Sequence, residues 1–294
     1  MPMPALRWFV KCALTAALLL LACGLATAWL GNGLQLPATT TRDGTLTTLN
    51  RYVREPTPDV VLVGSSLTFR LKEEYFSTPG VKNLALAGGS PVTGFEIVAN
   101  QAHLPKLILV EMNILSRATD KALVEKYSAG GNTDPLFFRP VRTAVAAYEN
   151  WNHAPPDHAQ VALALDRLLK QPPSNFDNHV YVERAFQEMD AEDPTVAVGI
   201  NVMRIQHLIS AVEQRGARVQ FFELPYSDRL EKARSVGITY EIVHNAFPDP
   251  NRWLKLDYPR SELRWSDGVH LDERSALIVA QLIDRALVSL PGSM

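Results

Sequence analysis

The sequence predicts an α/β protein built on a mostly parallel sheet and preceded by one N-terminal transmembrane helix. Three observations predict it. Short runs of β-branched and aliphatic residues recur along the chain, as expected for strands buried on both faces. Stretches with apolar residues at helical spacing lie between those runs, and strands interleaved with helices pack as a parallel sheet covered on both sides. The chain also opens with an apolar segment long enough to cross a bilayer.

That segment comes first. After Arg7 and Lys11 no charged residue occurs until Arg42, and Cys12 to Leu30 is almost wholly apolar. About twenty such residues span a membrane as a helix. The two basic residues precede it, so the positive-inside rule places the N-terminus in the cytoplasm and the rest of the chain outside. Three fates are open to residues 1–30. They can stay as an uncleaved anchor with Trp8 and Trp29 at the two interfaces. They can form a signal peptide cut after the small-x-small triplet Ala26-Thr27-Ala28. They can also form a lipoprotein-type signal, since Leu20-Leu21-Ala22-Cys23 loosely fits a lipobox. A buried core helix is the poorest reading, because the segment is terminal and has no polar face.

Residues 31–56 read as a linker followed by a first helix, with GNGLQLPATTTRD lacking any hydrophobic period. Residues 57–294 then form one domain. Its strands are expected at Val60 to Val63, Val81 to Leu86, Leu107 to Val110 and Ala217 to Leu224. Helical spacing covers Gly94 to His103, Val196 to Gln214 and Glu273 to Ser289. The proline-rich stretch at about 116–194 breaks the rhythm and reads as a helical insertion, with helix-like pieces at Val141 to Trp151 and Asp157 to Lys170. Such an insertion either walls a site or decorates the fold. Its Phe137, Phe138, Tyr148 and Trp151 can line an acyl or sugar site, or simply pack the insertion.

Composition narrows the chemistry. The chain has 294 residues, 47% of them hydrophobic, enough for a sizeable core. Both cysteines, Cys12 and Cys23, lie in the apolar segment, so the exported part has no disulfide, thiolate nucleophile or cysteine metal site. Without Arg7 and Lys11, 27 basic residues face 31 acidic ones, and this mildly acidic part lacks the basic footprint of a nucleic-acid binder. No metal or organic cofactor is called for.

Ligands of an open parallel sheet sit beyond the carboxyl ends of its strands. After the first strand stands Gly64-Ser65-Ser66-Leu67. A serine at a helix N-terminus can attack as a nucleophile beside unpaired N–H groups, although serine there is also an ordinary N-cap. After the second comes Ala87-Gly88-Gly89-Ser90, either a plain turn or a place where a Gly88 N–H meets an oxyanion. After the third comes Asn113, either a turn-former or a third donor to that oxyanion. Before the last helix lies Asp267-Gly268-Val269-His270, where a carboxylate three residues from an imidazole can orient it as a general base.

Taken in order, these points resemble the SGNH (GDSL-like) hydrolase family, whose four blocks supply Ser, Gly, Asn and His. Gly64-Ser65-Ser66-Leu67 is similar to the first block, Asn83 to Ser90 to the second, Asn113 to the third and Asp267 to His270 to the fourth. The resemblance covers roughly residues 57–115 and 200–290. It implies a three-layer flavodoxin-like SGNH fold, Ser66, Asp267 and His270 as the catalytic set, and Ser66, Gly88 and Asn113 as the oxyanion hole. Two departures stand out. Ser65 occupies a place where the family often has aspartate, and it is a rival nucleophile. The third block also lacks the usual Gly-x-Asn-Asp form.

The resemblance further implies a serine esterase or O-acyltransferase in the periplasm or outside the cell, single-pass in the cytoplasmic membrane. Its substrate would be an acyl ester, with a cell-envelope polysaccharide first and a lipid or small ester second. A multi-span membrane acyltransferase is the partner implied, as for anchored SGNH-like proteins that acetylate alginate or move D-alanine onto teichoic acids. A non-catalytic scaffold that keeps the fold is the reading from a different class. Gly64-Ser65-Ser66 matches neither the dinucleotide nor the P-loop glycine pattern.

Overall fold

A computed structural model describes residues 3–30, 41–128 and 157–289, together with positions 145 and 148. Four strands, β1 (Val60–Val63), β2 (Val81–Asn83), β3 (Leu107–Glu111) and β4 (Arg218–Phe222), form a parallel sheet in the order β2-β1-β3-β4. The register pairs Val60 with Val81 and Leu107, and Leu107 with Arg218.

Successive strand residues face opposite sides, and two buried clusters follow from that alternation. Val61, Val63, Ile108, Val110 and Phe221 pack into one cluster. It includes residues of α4 (Pro91–Ala99) and α8 (Thr195–Glu213). Val60, Leu62, Leu107, Leu109 and Phe222 pack into the other, with Leu277, Ala280 and Ile283 of α10 (Glu273–Ser289). β1 is therefore apolar throughout because both of its faces are covered, whereas the outer strands β2 and β4 carry Lys82, Asn83, Arg218 and Gln220.

The chain before the sheet holds α1 (Met3–Leu30) and α2 (Thr41–Arg54). Over Ala5–Leu25 the first helix has a mean hydropathy of 2.0 and none of it is buried in the protein. An exposed apolar helix of this length fits a signal anchor or a signal peptide. A four-residue α3 (Ser66–Phe69) follows β1 directly. Between β3 and α8 run α5 (Lys121–Tyr127), α6 (His158–Leu169) and α7 (His179–Ala191). The last helix before α10 is α9 (Arg234–Ala246).

Most expected elements lie within a few residues of their observed bounds. The second strand is shorter than its apolar run, since beyond Asn83 the chain keeps only single bonds to β1, from Leu84 N–H to Leu62 O and from Leu86 N–H to Gly64 O. Three helices were not expected, α5, α7 and α9. All are short and carry polar residues, and α7 buries none of its side chains fully. The expected helix at 141–151 lies outside the described residues except for 145 and 148, which are helical.

Candidate active site

The strand order reverses between β1 and β3, and it is there that the chain ends of an open parallel sheet part to make a crevice. Ser66 sits at that point, immediately after β1. Gly64 and Ser65 carry the chain from strand to helix, and Ser65 caps α3 by accepting the Leu67 N–H on its Oγ at 3.2 Å. Ser66 itself is half-buried.

The loop carrying Asp267 and His270 comes from the far end of the sequence. It is closed by the paired bridge Trp265–Leu271 and by Ser266 N–H donating to His270 O at 2.8 Å. Asn178, just before α7, donates from Nδ2 to Trp265 O at 2.8 Å, and Trp265 Nε1 donates to Pro225 O at 2.9 Å. These bonds place the imidazole against α3. His270 Nε2 lies 2.8 Å from Ser66 Oγ, and His270 Nδ1 lies 2.7 Å from Asp267 Oδ2.

A carboxylate only accepts, so the Nδ1 proton points at Asp267 and the Nε2 lone pair at the serine hydroxyl. Asp267 Oδ1 also accepts the backbone N–H groups of Val269 at 3.0 Å and His270 at 2.7 Å. Burial alone would raise the pKa of this carboxyl. The bonds from the His270 ring and backbone, with that of Val269, outweigh it and hold the pKa below the ordinary carboxylate value.

Ser65 is not exposed at all, and its Oγ donates to Glu111 Oε1 at 2.7 Å. Its hydroxyl is thus engaged within the fold, while that of Ser66 faces the imidazole. Gly88 has φ +78°, a conformation that glycine adopts without a side-chain penalty. Among the described residues the backbone N–H groups of Ser66 and Gly88 have no protein acceptor.

Asn113 extends the β3–β4 pairing by one step. Its Oδ1 accepts Leu224 N–H at 2.6 Å and its Nδ2 donates to Leu224 O at 2.8 Å, and its side chain is also hydrogen-bonded to the Tyr226 hydroxyl. With His270 it lines a cavity of about 240 Å³, also walled by Arg117, Tyr226, Ala185 and Met189. The last two belong to α7, so the insertion forms a wall of this site. A larger cavity of about 440 Å³, between Asp59, Lys106, Arg218 and Leu287, lies at the opposite ends of the strands. It holds none of the chemistry-bearing residues named above. Of the aromatic residues expected at the site, Tyr148 is 64% exposed, and Phe137, Phe138 and Trp151 lie outside the described residues.

The sequence reading passed over two residues. Glu111, the last of β3, is fully buried beneath the Gly64–Ser66 turn. Its signal was an acidic residue closing an apolar strand. Arg117 reaches from the loop after β3 to Gly89 O at 3.3 Å, across to the second block, and nothing in its local sequence marks it. Among the described residues no group of three or more His, Cys, Asp or Glu is arranged to hold a metal ion.

These features define an α/β protein with a hydrogen-bonded Ser-His-Asp set at the switch point of its sheet. No family model, curated protein or solved structure matches the chain.

Proposed function

We propose that this protein is an SGNH-type serine esterase or O-acyltransferase, held at the outer side of the cytoplasmic membrane and acting on an acyl ester of a cell-envelope polysaccharide. The observation that carries the reading is the unbroken pair of bonds from Asp267 through His270 to Ser66, at 2.7 and 2.8 Å. Ser66 and His270 come from opposite ends of the domain, 204 positions apart. The strand order 2-1-3-4 also fits the first four strands of a flavodoxin-like sheet, which supports the three-layer SGNH fold.

In the proposed reaction His270 removes the Ser66 proton as Oγ attacks the ester carbonyl. Asp267 keeps the imidazole in the tautomer that accepts at Nε2 and stabilises the imidazolium that forms. The carbonyl oxygen becomes an oxyanion, held by the N–H groups of Ser66 and Gly88 and by the Asn113 amide, which gives up its bond to the Tyr226 hydroxyl. Each such donor is worth about 3–4 kcal/mol in the transition state. The imidazolium then protonates the leaving alkoxide, and the acyl group stays on Ser66 as an ester. Water or a sugar hydroxyl, deprotonated by His270, attacks that ester and restores the serine. The exposed α1 supports placement at the membrane, next to a multi-span acyltransferase partner.

The test uses the full chain in detergent with a fluorophosphonate probe, the adduct being located by peptide mass spectrometry. An adduct on Ser66 that is absent in Ser66→Ala and His270→Ala is expected. An adduct on Ser65 would move the nucleophile there, and no adduct would favour a non-catalytic scaffold, which also predicts that Ser66→Ala leaves the cellular phenotype intact.

A further inference from the structure

Glu111 is a buried carboxylate that the reaction above does not use. It ends β3 on the same face as Leu107 and Leu109, is fully buried, and stands where an unpaired charge would be costly. It accepts four hydrogen bonds. Ser65 gives its N–H to Oε2 at 2.8 Å and its hydroxyl to Oε1 at 2.7 Å. Thr68 gives its N–H at 3.3 Å and its hydroxyl at 2.6 Å, both to Oε2. All four donors flank Ser66 and none belongs to it.

The consequence appears when the turn's N–H groups are followed in order. That of Ser65 goes to Glu111, that of Leu67 to Ser65 Oγ, and that of Thr68 to Glu111. Among the described residues, only that of Ser66 is left without a protein acceptor. The carboxylate therefore sorts the donors at the start of α3, claiming its neighbours and leaving one N–H aimed outward beside the nucleophile. It also takes the hydroxyl of Ser65 out of competition with that of Ser66. Gly64 makes room for it, since a Cβ there would lie 2.7 Å from Glu111 Oε2 and 2.4 Å from Thr68 Oγ1.

We infer that Glu111 is the positioning residue of this site. It fixes the Ser66 hydroxyl and N–H in register with His270, and it supplies from β3 the carboxylate that the first block lacks at Ser65. Two departures from the family pattern, Ser65 for aspartate and a third block that opens with Glu111, are then one arrangement, joined by the 2.7 Å bond.

This inference rests on the proposed serine chemistry, and its test separates the two. The full chain is titrated with the fluorophosphonate probe to give both the fraction of molecules that react and the rate at which they do. Glu111→Gln keeps the shape but places an amide N–H₂ against donors. It is expected to react to full titre about 100-fold more slowly, the scale of loss for a nucleophile displaced by about 1 Å. Probe affinity and the pH midpoint of labelling should not change, because the Asp267–His270 pair is untouched. Thr68→Val, which removes one hydroxyl donor at constant shape, should slow the reaction less and also reach full titre. Wild-type rate in both variants overturns the inference. So does a reduced titre whose reactive fraction keeps the wild-type rate, which is the mark of a purely structural role. If Glu111→Gln does not fold, Thr68→Val alone decides. A wild-type chain that does not label at Ser66 removes the serine chemistry, and this inference with it.

Discussion

Asp267 receives three hydrogen bonds, two of them from His270, and these lower its pKa despite its partial burial. A carboxylate whose folded pKa is depressed contributes stability above its unfolded pKa and loses it as pH falls through the folded one. The stability advantage of wild type over Asp267→Asn, measured by urea denaturation, should therefore be full at neutral pH. It should shrink as pH falls below the ordinary carboxylate range. The catalytic effect of the same substitution is expected to be larger. An asparagine can turn its N–H₂ toward Nδ1, which favours the tautomer with the proton on Nε2, unable to take one from Ser66. A loss of about 10⁴-fold in kcat on an ester substrate is expected. A loss of only a few-fold would count against His270 as the base.

Short elements and the turns that end them set the geometry of the site. The residue that follows β1, Gly64, must lack a side chain, because α3 starts two residues on and the Glu111 and Thr68 oxygens occupy the space. Gly64→Ala should cost about 1–3 kcal/mol in denaturant unfolding, the range for overpacking a filled interior, and should slow Ser66 labelling as well. At the other end of the sheet Asp284 ties α10 to the loop before β2. Its Oδ1 accepts Thr78 N–H at 3.0 Å, and its Oδ2 accepts Ser77 N–H at 3.0 Å and the Ser77 hydroxyl. Burial tends to raise the pKa of this carboxyl, and these bonds outweigh it and lower the value. Asp284→Ala is expected to destabilise by about 1.5–3 kcal/mol at pH 7, the worth of hydrogen bonds to a charged group. It should leave the labelling rate of Ser66 unchanged at temperatures where the variant is folded, because the tether lies away from the crevice.

For the whole molecule, the exposed α1 and the enclosed sheet behave as different solvents would require. The first has its apolar side chains outside, with Trp8 at 69% and Leu18 at 65% exposure, whereas no apolar residue of the sheet is more than 9% exposed. The full chain should sediment with membranes and resist extraction at alkaline pH. A chain starting at residue 41 should be soluble and should label at Ser66 as fast as the full chain. Sedimentation of the truncated chain with membranes would mean that another surface holds it there.

The apolar opening segment, the four strand runs and the helices around them were legible because each is a local pattern, read from the period of its own side chains. Ser66, Asp267 and His270 could be singled out on the same footing, each from a turn just beyond a strand or before a helix. Their contact could not, since it depends on a loop pinned by Asn178, Pro225 and Ser227, residues distant in sequence. The roles of Ser65 and Asn113 also waited on the fold. Ser65 is engaged by Glu111, 46 positions away, and Asn113 by the backbone of Leu224, 111 positions away. The sequence by itself determined the α/β class, the apolar first helix and the residues able to carry the chemistry, because hydrophobic period and turn chemistry act over a few residues. Only the tertiary structure decided which serine faces the histidine and which carboxylate lies beneath it, because hydrogen bonds between distant segments exist only once the sheet has brought those segments together.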